Sequence, residues 1–284
     1  KKEMEWMRDN GVKGIKVDFF GGDKQETMRL YEDILSDANE YGLMVIFHGC
    51  TLPRGWERMY PNYVGSEAVL ASENLVFSQH FNNKEAANAT LHPFIRNTVG
   101  SMEYGGCFMN NFMNKGNEKG IYRTTSDIFQ LATTIIYQNA IQNFALAPNN
   151  LTDAPELCME YLKTVPTEWD ETRFVDGVPG KYVVLARRHG NDWYVAGINA
   201  TSEPLKLNLN VDMLAGKEVS LYGDNFTKEA QKRMKKAGKK ADKEGFIIRS
   251  IDFSPSKKTV KVSDKGMVPV TILPNGGIII NTLK

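Results

Sequence analysis

The chain has 284 residues, 42% of them hydrophobic and 24% charged, and its formal net charge is +1. This composition excludes an intrinsically disordered or collagen-like protein. A net charge near zero gives no general attraction to polyanions or anionic membranes, so we expect no nucleic-acid partner and no membrane insertion. The three cysteines, Cys50, Cys107 and Cys158, are too sparse for a disulfide framework and form no CxxC zinc motif.

The first residues, KKEMEW, include neither an initiator methionine nor the apolar segment of a signal peptide. No stretch approaches the roughly 18 uninterrupted apolar residues of a membrane-spanning helix. Because such a start is typical of the middle of a protein, we expect the chain to be part of a longer one.

The first half of the chain alternates between strand and helix patterns. It predicts a helix over residues 1–10, a buried strand over 14–20, a helix over 24–41 with Asp23 as its N-cap, and a second buried strand over 43–48. A strand, a helix and a strand within so few residues form a βαβ unit, which implies a parallel sheet.

The same alternation continues less regularly up to residue 166. Short strands are predicted over 63–67, 102–104 and 144–147, and helices over 125–142 and 153–163. We therefore expect about five strand–helix repeats, and we assign residues 1–166 to the first domain.

Short alternating strands with turn signals dominate the rest of the chain, which we assign to a second domain, residues 167–284. The predicted strands cover 182–187, 193–199, 205–209, 219–222, 260–262, 268–273 and 277–281. This pattern predicts an antiparallel β-sandwich. The intervening segment 226–243 carries eight Lys/Arg against two Asp/Glu, and we interpret it as a solvated helical insertion.

Both an open doubly wound sheet and a (β/α)8 TIM barrel fit the first domain. Polar residues fall at strand ends, namely Asp18, His48, Glu67 and Glu73, and a barrel collects its catalytic groups from the carboxyl ends of its strands. The chain contains no GxGxxG after a strand and no GxxxxGK(S/T), which weakens the nucleotide-binding alternative. We therefore predict the C-terminal part of a barrel, followed by the antiparallel sandwich.

Lys16 and Asp18 lie two apart in the strand GIKVDFF and therefore share a face. Burial of both charges is costly unless they pair with each other or face a polar cavity. The two readings, a structural ion pair and a functional site, have equal support from this pattern.

Glu67 and Glu73 lie in the mostly apolar segment GSEAVLASEN. With Asp18 they supply the two carboxyl groups that glycoside hydrolysis needs, one ionised and one protonated. A third carboxylate suits a hard cation such as calcium. A lone histidine at the end of a buried strand, such as His48, is more often a hydrogen-bonded structural group than a catalyst.

Two stretches carry a resemblance to a known family. They are the run KGIKVDFFGGDKQETMRLYEDILSDANEYGLMVIFHGCTLPRGWERMYPN, continued by GSEAVLASEN, and the later segments VPTEWDETRFVDGVPGKYVVLARR and NDWYVAGINA. Through these motifs the chain resembles glycoside hydrolase family 97. The resemblance implies an N-terminal sandwich, a (β/α)8 barrel and a C-terminal sandwich, of which this chain resembles the latter part of the barrel and the last domain.

The family has inverting α-glucosidases and retaining α-galactosidases. The resemblance places the nucleophile of the retaining branch on Asp18 and the general acid/base on Glu73. The inverting branch has a glutamate base at the position of Gly49 and lacks the aspartate, so this chain resembles the retaining branch. The family binds calcium, and its ligands match Glu67 and Glu73.

Lys16 resembles the lysine of a KxD strand motif in related α-galactosidases, which contacts sugar hydroxyls. Arg96, in HPFIRN, resembles a barrel-core segment of the family, and we assign Lys16, His48 and Arg96 to substrate binding. The resemblance also implies an oligosaccharide substrate with a terminal α-galactose, a bacterial periplasmic or exported location, and the N-terminal half of the enzyme as a partner. An α-glucosidase of the same family and a catalytically incomplete carbohydrate-binding fragment remain the alternatives.

Overall fold

The computed structural model describes residues 1–237 and 247–282. Contacts between residues divide the chain into two compact units. The first unit comprises Lys1–Ala71, His92–Tyr104 and Tyr137–Asn143, and the second comprises Ser72–Leu91, Gly105–Ile136 and Phe144–Lys284. The second unit thus takes residues from both predicted domains, and the domain boundary at residue 166 stays a prediction.

The first unit is built on a three-stranded parallel sheet with helices between its strands. In chain order its elements are α1 (Lys2–Asp9), β1 (Gly14–Val17), α2 (Gln25–Glu40), β2 (Met44–Phe47), α3 (Trp56–Met59) and β3 (Tyr63–Ser66). The strand order is β1-β2-β3, and both pairings are parallel. The predicted βαβ unit is therefore confirmed.

Helix α2 packs against the sheet through an apolar face. Tyr31, Leu35 and Ala38 recur at helical spacing and are fully buried. The Tyr31 ring meets Phe47 of β2 edge to face, with 4.9 Å between ring centroids. It also stacks on Phe20, at 4.1 Å. This aromatic cluster fixes α2 beside the strands that end at the candidate site.

Three predictions in this unit need correction. The first strand ends at Val17 rather than at residue 20, because Phe19 turns the backbone to a φ of 67°. The residue preceding α2 is Lys24, which has no side-chain cap, so Asp23 is not the N-cap. Residues 102–104 form only an isolated parallel bridge, which joins Met102 to Ser66.

The second unit contains the longer helices. They are α4 (Gln79–Ile95, whose last turn belongs to the first unit), α5 (Asp127–Ile136), α6 (Asn150–Asp153) and α7 (Glu156–Leu162), and the 3-10 turn Ser72–Val76 precedes them. Helix α5 is buried from Ile128 to Ile136. It is shorter than the helix predicted over 125–142, and the strand predicted over 144–147 is wrong, because those residues form an irregular connection.

A six-stranded antiparallel sheet dominates the second unit. Its strands are β4 (Glu171–Val178), β5 (Tyr182–His189), β6 (Asp192–Asn199), β8 (Glu218–Phe226), β9 (Phe253–Lys261) and β11 (Gly277–Asn281), in the order β4-β5-β6-β11-β8-β9. A separate antiparallel pair joins β7 (Leu205–Asn210) to β10 (Met267–Ile272). Six of the seven strands predicted after residue 174 are confirmed in position, and several are longer than predicted. The strand predicted over 260–262 overlaps only the end of β9, and β4 was not predicted.

One apolar core serves both of these sheets. It combines Val195 and Ile280 of the large sheet with Leu209 and Val270 of the strand pair. Such a core between two antiparallel sheets is the arrangement that their alternating sequences predict.

The first part of the basic segment forms helix α8 (Lys228–Ala237), as predicted for a helical insertion. The rest of the segment, residues 238–243, lies outside the described residues. No helix in the described part of the chain has the length and apolar character needed to cross a bilayer.

Candidate active site

The carboxyl ends of the three parallel strands each deliver a polar residue. Asp18 follows β1, His48 follows β2 and Glu67 follows β3. Parallel strands present their carboxyl ends at one edge of the sheet, where α/β proteins place their ligand sites. The structure therefore brings these three predicted residues to the same edge.

Asp18 occupies the turn that leaves β1. Its Oδ1 accepts a hydrogen bond from the backbone N–H of Phe19 at 2.7 Å. The next N–H, from Phe20, donates to the carbonyl of Gly49 at 3.0 Å, which ties this turn to the end of β2. Lys16 lies two residues earlier, within β1, whereas Asp18 lies outside the strand.

Gly49 leaves the space that the Asp18 carboxyl group occupies. A Cβ added to Gly49 would lie 2.7 Å from Asp18 Oδ1 and 2.9 Å from the backbone nitrogen of Phe19. The φ of Gly49 is +49°, a conformation that side chains disfavour. The absence of a side chain at position 49 is thus a condition for the observed position of Asp18.

His48 lies between two buried carboxylates. Its Nε2 is 2.5 Å from Glu103 Oε2 and its Nδ1 is 3.4 Å from Glu67 Oε2. All three residues are buried: His48 is 2% exposed, Glu103 is 4% exposed and Glu67 is 7% exposed. Within the described part of the chain, Nδ1 has no hydrogen-bond partner. Nε2 is therefore engaged, while Nδ1 faces the oxygen of Glu67.

Glu67 is fixed through both its main chain and its side chain. Its backbone N–H donates to the carbonyl of Phe47 at 2.8 Å. Its Oε2 accepts a hydrogen bond from the backbone N–H of Gly49 at 3.0 Å. The carboxylate is thereby held beside the residues that end β2.

Arg96 lies beneath the site, at 2% exposure. Its guanidinium donates to the carbonyls of Ser66 (2.7 Å), Glu67 (3.1 Å), Gly100 (3.0 Å) and Ser101 (3.0 Å). These contacts tie the end of β3 to the segment that precedes Met102. Since four of its donors are directed at the backbone, the observed arrangement favours a structural role for Arg96 over the predicted contact with sugar.

Glu73 belongs to the second unit and lies exposed in the first turn of the 3-10 segment Ser72–Val76. The preceding residue, Ser72, donates its hydroxyl to the carbonyl of Gly105. Glu73 thus belongs to a short turn, and the hydrogen bond from the Ser72 side chain holds the first residue of that turn in place.

Glu103 is a site residue that the sequence analysis did not identify. Its N–H donates to the carbonyl of Ser66 at 3.0 Å, next to the Met102 bridge. Its Oε1 accepts a hydrogen bond from the Asn143 side chain at 3.3 Å. An acidic residue in a predicted short strand was the available signal, but its contact with His48, 55 residues away in sequence, was not.

Comparison with protein-family models places the chain in one family. The model described as "Glycoside hydrolase 97" matches residues 1–69. The model described as "Glycosyl-hydrolase 97 C-terminal, oligomerisation" matches residues 168–282. The two matches together include more than half of the chain.

Two curated relatives carry similar descriptions. A "Probable retaining alpha-galactosidase" of Streptomyces bingchenggensis is 36% identical over 69% of this chain and 29% of its own length. A "Retaining alpha-galactosidase" of Bacteroides thetaiotaomicron is 31% identical over 94% of this chain and 38% of its own length. The chain therefore spans about a third of the length of these relatives.

Solved structures agree with this placement. A structure of a β-arabinopyranosidase is 61% identical in sequence and superposes with a TM-score of 0.87. The superposition covers 99% of this chain and 41% of the β-arabinopyranosidase chain. A glycoside hydrolase family 97 enzyme variant from Pseudoalteromonas sp. strain K8 superposes on 91% of this chain and 37% of the variant's chain, with 19% identity and a TM-score of 0.70. This likeness shows that the two share the mixed α/β fold with its large antiparallel sheet. With both family models and these relatives in agreement, the chain belongs to glycoside hydrolase family 97.

Proposed function

We propose that the chain carries the catalytic residues of a retaining glycosidase that removes terminal α-galactosides from oligosaccharides. The observation that carries this proposal is the pairing of Asp18 with Gly49. A carboxylate at the end of β1 is in position to act as a nucleophile only because residue 49 has no side chain. The two curated relatives described as retaining α-galactosidases support the same assignment.

In the proposed mechanism an oxygen of Asp18 attacks the anomeric carbon while the bond to the leaving oxygen breaks. Glu73, as the acid, gives its proton to that oxygen, and the sugar becomes covalently bound to Asp18. Glu73 then removes a proton from a water molecule, which attacks the same carbon and releases the Asp18 carboxylate. Two displacements leave the anomeric configuration unchanged. This route needs carboxyl groups about 5–5.5 Å apart in the working enzyme.

We propose that the three parallel strands and the bridge at Met102 are part of a (β/α)8 barrel. The strand order β1-β2-β3 and the site at the carboxyl ends support this architecture. The curated relatives are longer than this chain, and the remaining strands would come from the corresponding additional sequence.

Sugar recognition is proposed for Lys16 and His48. Lys16 lies in β1, two residues before the proposed nucleophile Asp18, and its ammonium group is a hydrogen-bond donor for sugar hydroxyls. His48 follows the neighbouring strand and presents its ring between Glu67 and Glu103. For Arg96 we propose that it holds the backbone of Glu67 rather than the sugar.

Calcium is proposed as a cofactor, with Glu67 and Glu73 as ligands. The carboxylate of Glu67 fits the preference of this ion for oxygen. The buried Nδ1 of His48, which lacks a hydrogen-bond partner among the described residues, points toward that carboxylate, but a ring nitrogen is not a typical calcium ligand. When bound, calcium would supply positive charge that orients sugar hydroxyls or Glu73.

A second candidate substrate is a β-L-arabinopyranoside. The observation that favours it is the 61% identity to a structure described as a β-arabinopyranosidase, over 99% of this chain. A β-L-arabinopyranoside has the ring stereochemistry of an α-D-galactopyranoside and lacks only the hydroxymethyl group at C5. The same nucleophile and acid/base would therefore serve both substrates.

The test compares hydrolysis of the p-nitrophenyl α-galactoside, β-L-arabinopyranoside and α-glucoside, each with calcium and with a chelator. The proposal predicts turnover of the galactoside, the arabinopyranoside or both, loss of nearly all turnover in Asp18→Asn, and reduced turnover with the chelator. Hydrolysis of the glucoside alone would contradict the substrate, and full activity of Asp18→Asn would contradict the nucleophile. No turnover on any substrate would favour a carbohydrate-binding role.

A further inference from the structure

We propose that Glu103 is a positioning residue that orients the imidazole ring of His48 at the active site. This inference rests on the proposed function for its catalytic consequence, but the contact itself does not. Glu103 lies 36 residues beyond Glu67 in sequence and reaches the site through the segment that bridges to β3.

The first observation is the contact between the two side chains. His48 Nε2 and Glu103 Oε2 are 2.5 Å apart, and both residues are at least 96% buried, with 2% and 4% exposure. Hydrogen bonds that involve a carboxylate are strong and directional, and in a dry environment water does not compete with them. Since a carboxylate accepts, His48 donates through Nε2.

The second observation is that Glu103 is itself held in place. Its backbone N–H is bonded to the carbonyl of Ser66 at 3.0 Å. Its other carboxyl oxygen accepts from the Asn143 side chain at 3.3 Å. Both carboxyl oxygens are therefore bonded, so the group acts as a fixed support for the ring.

The third observation concerns charge. No lysine or arginine forms an ion pair with Glu103 among the described residues, and His48 is the ionisable group that meets it. A buried carboxylate without a strong cationic partner contributes little to stability and costs desolvation. A role in orienting His48 would explain why a glutamate occupies this buried position despite its cost.

The consequence for the site follows from the geometry of the ring. With Nε2 bonded to Glu103, Nδ1 faces Glu67 Oε2 at 3.4 Å. The ring plane beside Glu67, a proposed calcium ligand, is then set by Glu103. Because a misplacement of about 1 Å can cost about 100-fold in rate, loss of this supporting group should lower activity.

A spectroscopic experiment tests the contact without relying on activity. The chain has four histidines, so a sample labelled with 15N-histidine gives few signals, and His48→Gln assigns those of His48. The proposal predicts one tautomer at constant pH, protonated on Nε2. Glu103→Leu removes the acceptor and should abolish this single state, and Glu103→Gln should shift the Nε2 resonance because the acceptor becomes neutral.

The matched control is Glu85→Gln, which changes another buried glutamate, at 3% exposure, whose carboxylate accepts hydrogen bonds from Thr125 and Gln130. It should leave the His48 signals unchanged. If Glu103→Leu does not fold, Glu103→Gln decides alone. His48 signals in the folded Glu103 variants that superimpose on the wild type would overturn the proposal, as would a wild-type Nε2 without a proton.

A kinetic cycle then tests whether Glu103 acts through His48. Glu103→Gln should lower kcat/KM by up to about 100-fold, because it allows the ring to leave its position, with the loss mainly in kcat. The same change in a His48→Gln background should cost little more. An equal loss in both backgrounds would overturn the positioning role. A wild-type chain without glycosidase activity would instead contradict the proposed function, and the histidine spectrum would still decide the contact.

Discussion

The Asp18 carboxyl group lies in the space that a side chain on residue 49 would fill, since a Cβ on Gly49 would be only 2.7 Å from Asp18 Oδ1. Real Cβ contacts with backbone or carboxyl atoms are longer, and Phe19 blocks a second direction at 2.9 Å. A nucleophilic aspartate at the end of β1 and any side chain at the end of β2 therefore exclude each other on this backbone. The retaining and inverting arrangements that the resemblance suggests are thus sterically alternative.

The first prediction is that Gly49→Ala displaces Asp18. The added methyl group must push the carboxyl or the turn at Phe19 by several tenths of an ångström. Because a misplacement of about 1 Å can cost about 100-fold in rate, we expect kcat/KM on the preferred substrate to fall by about that factor. Steady-state kinetics on the purified variant measure this loss.

Gly11→Ala is the matched control for the strained backbone. Gly11 has a φ of +81°, and a Cβ there would meet nothing within 4 Å. It should lower stability by a similar amount and leave the kinetics unchanged. Activity of Gly49→Ala equal to that of Gly11→Ala would show that Asp18 does not depend on the empty position.

The second prediction separates the two roles considered for Arg96. Lysine has one amino group and cannot reach the four carbonyls that the guanidinium bonds. Since unpaired buried carbonyls cost about 1–3 kcal/mol each, we expect Arg96→Lys to lower the free energy of unfolding by on the order of 3 kcal/mol or more. Urea denaturation measures this change.

The exposed Arg58→Lys serves as the control and should be neutral. An Arg96→Lys variant that keeps its stability but shows a raised KM would instead support the predicted role of Arg96 in substrate binding.

The third prediction concerns acid stability. Burial, together with the smaller effect of the Arg96 charge, lowers the pKa of His92 from its ordinary 6.5 to about 4. The unfolded chain then binds this proton more readily than the folded chain. Stability is therefore complete above pH 6.5 and falls as the pH drops toward 4, by about 3 kcal/mol in all.

His92→Gln removes the ionisation and should flatten this part of the pH profile of unfolding free energy. The exposed His80→Gln should follow the wild type. If the profiles of His92→Gln and the wild type remain parallel between pH 7 and pH 4.5, another group controls the acid transition.

The regular parts of this fold could be predicted because their signals are local. Tyr31, Leu35 and Ala38 repeat at helical spacing, and the helix they predict is present as α2. Four of the six strands of the antiparallel sheet were also predicted in position, from short apolar runs bounded by turn signals.

Helix α4 was not predicted, because its sequence QHFNNKEAANATLHPFI has no apolar stripe and contains Pro93. The strand predicted over 144–147 failed for the opposite reason, since its apolar run forms no strand and is only partly buried. Short apolar runs do not distinguish these outcomes.

The candidate site was predictable where residues directly follow strands, as Asp18, His48 and Glu67 do. It was not predictable where the contact is long-range. Neither the bond from His48 to Glu103 nor the four carbonyls around Arg96 leaves a local pattern. Such contacts depend on the register of β3 against the segment around Met102.

The central claim is that Asp18 acts as a nucleophile in a double displacement. Proton NMR of the first sugar released from an α-galactoside, recorded before the anomers equilibrate, tests it most directly. A retaining reaction releases α-galactose first, and the β anomer appears only by slow mutarotation. Initial release of β-galactose would contradict the account, because a single displacement by water needs no nucleophile at position 18.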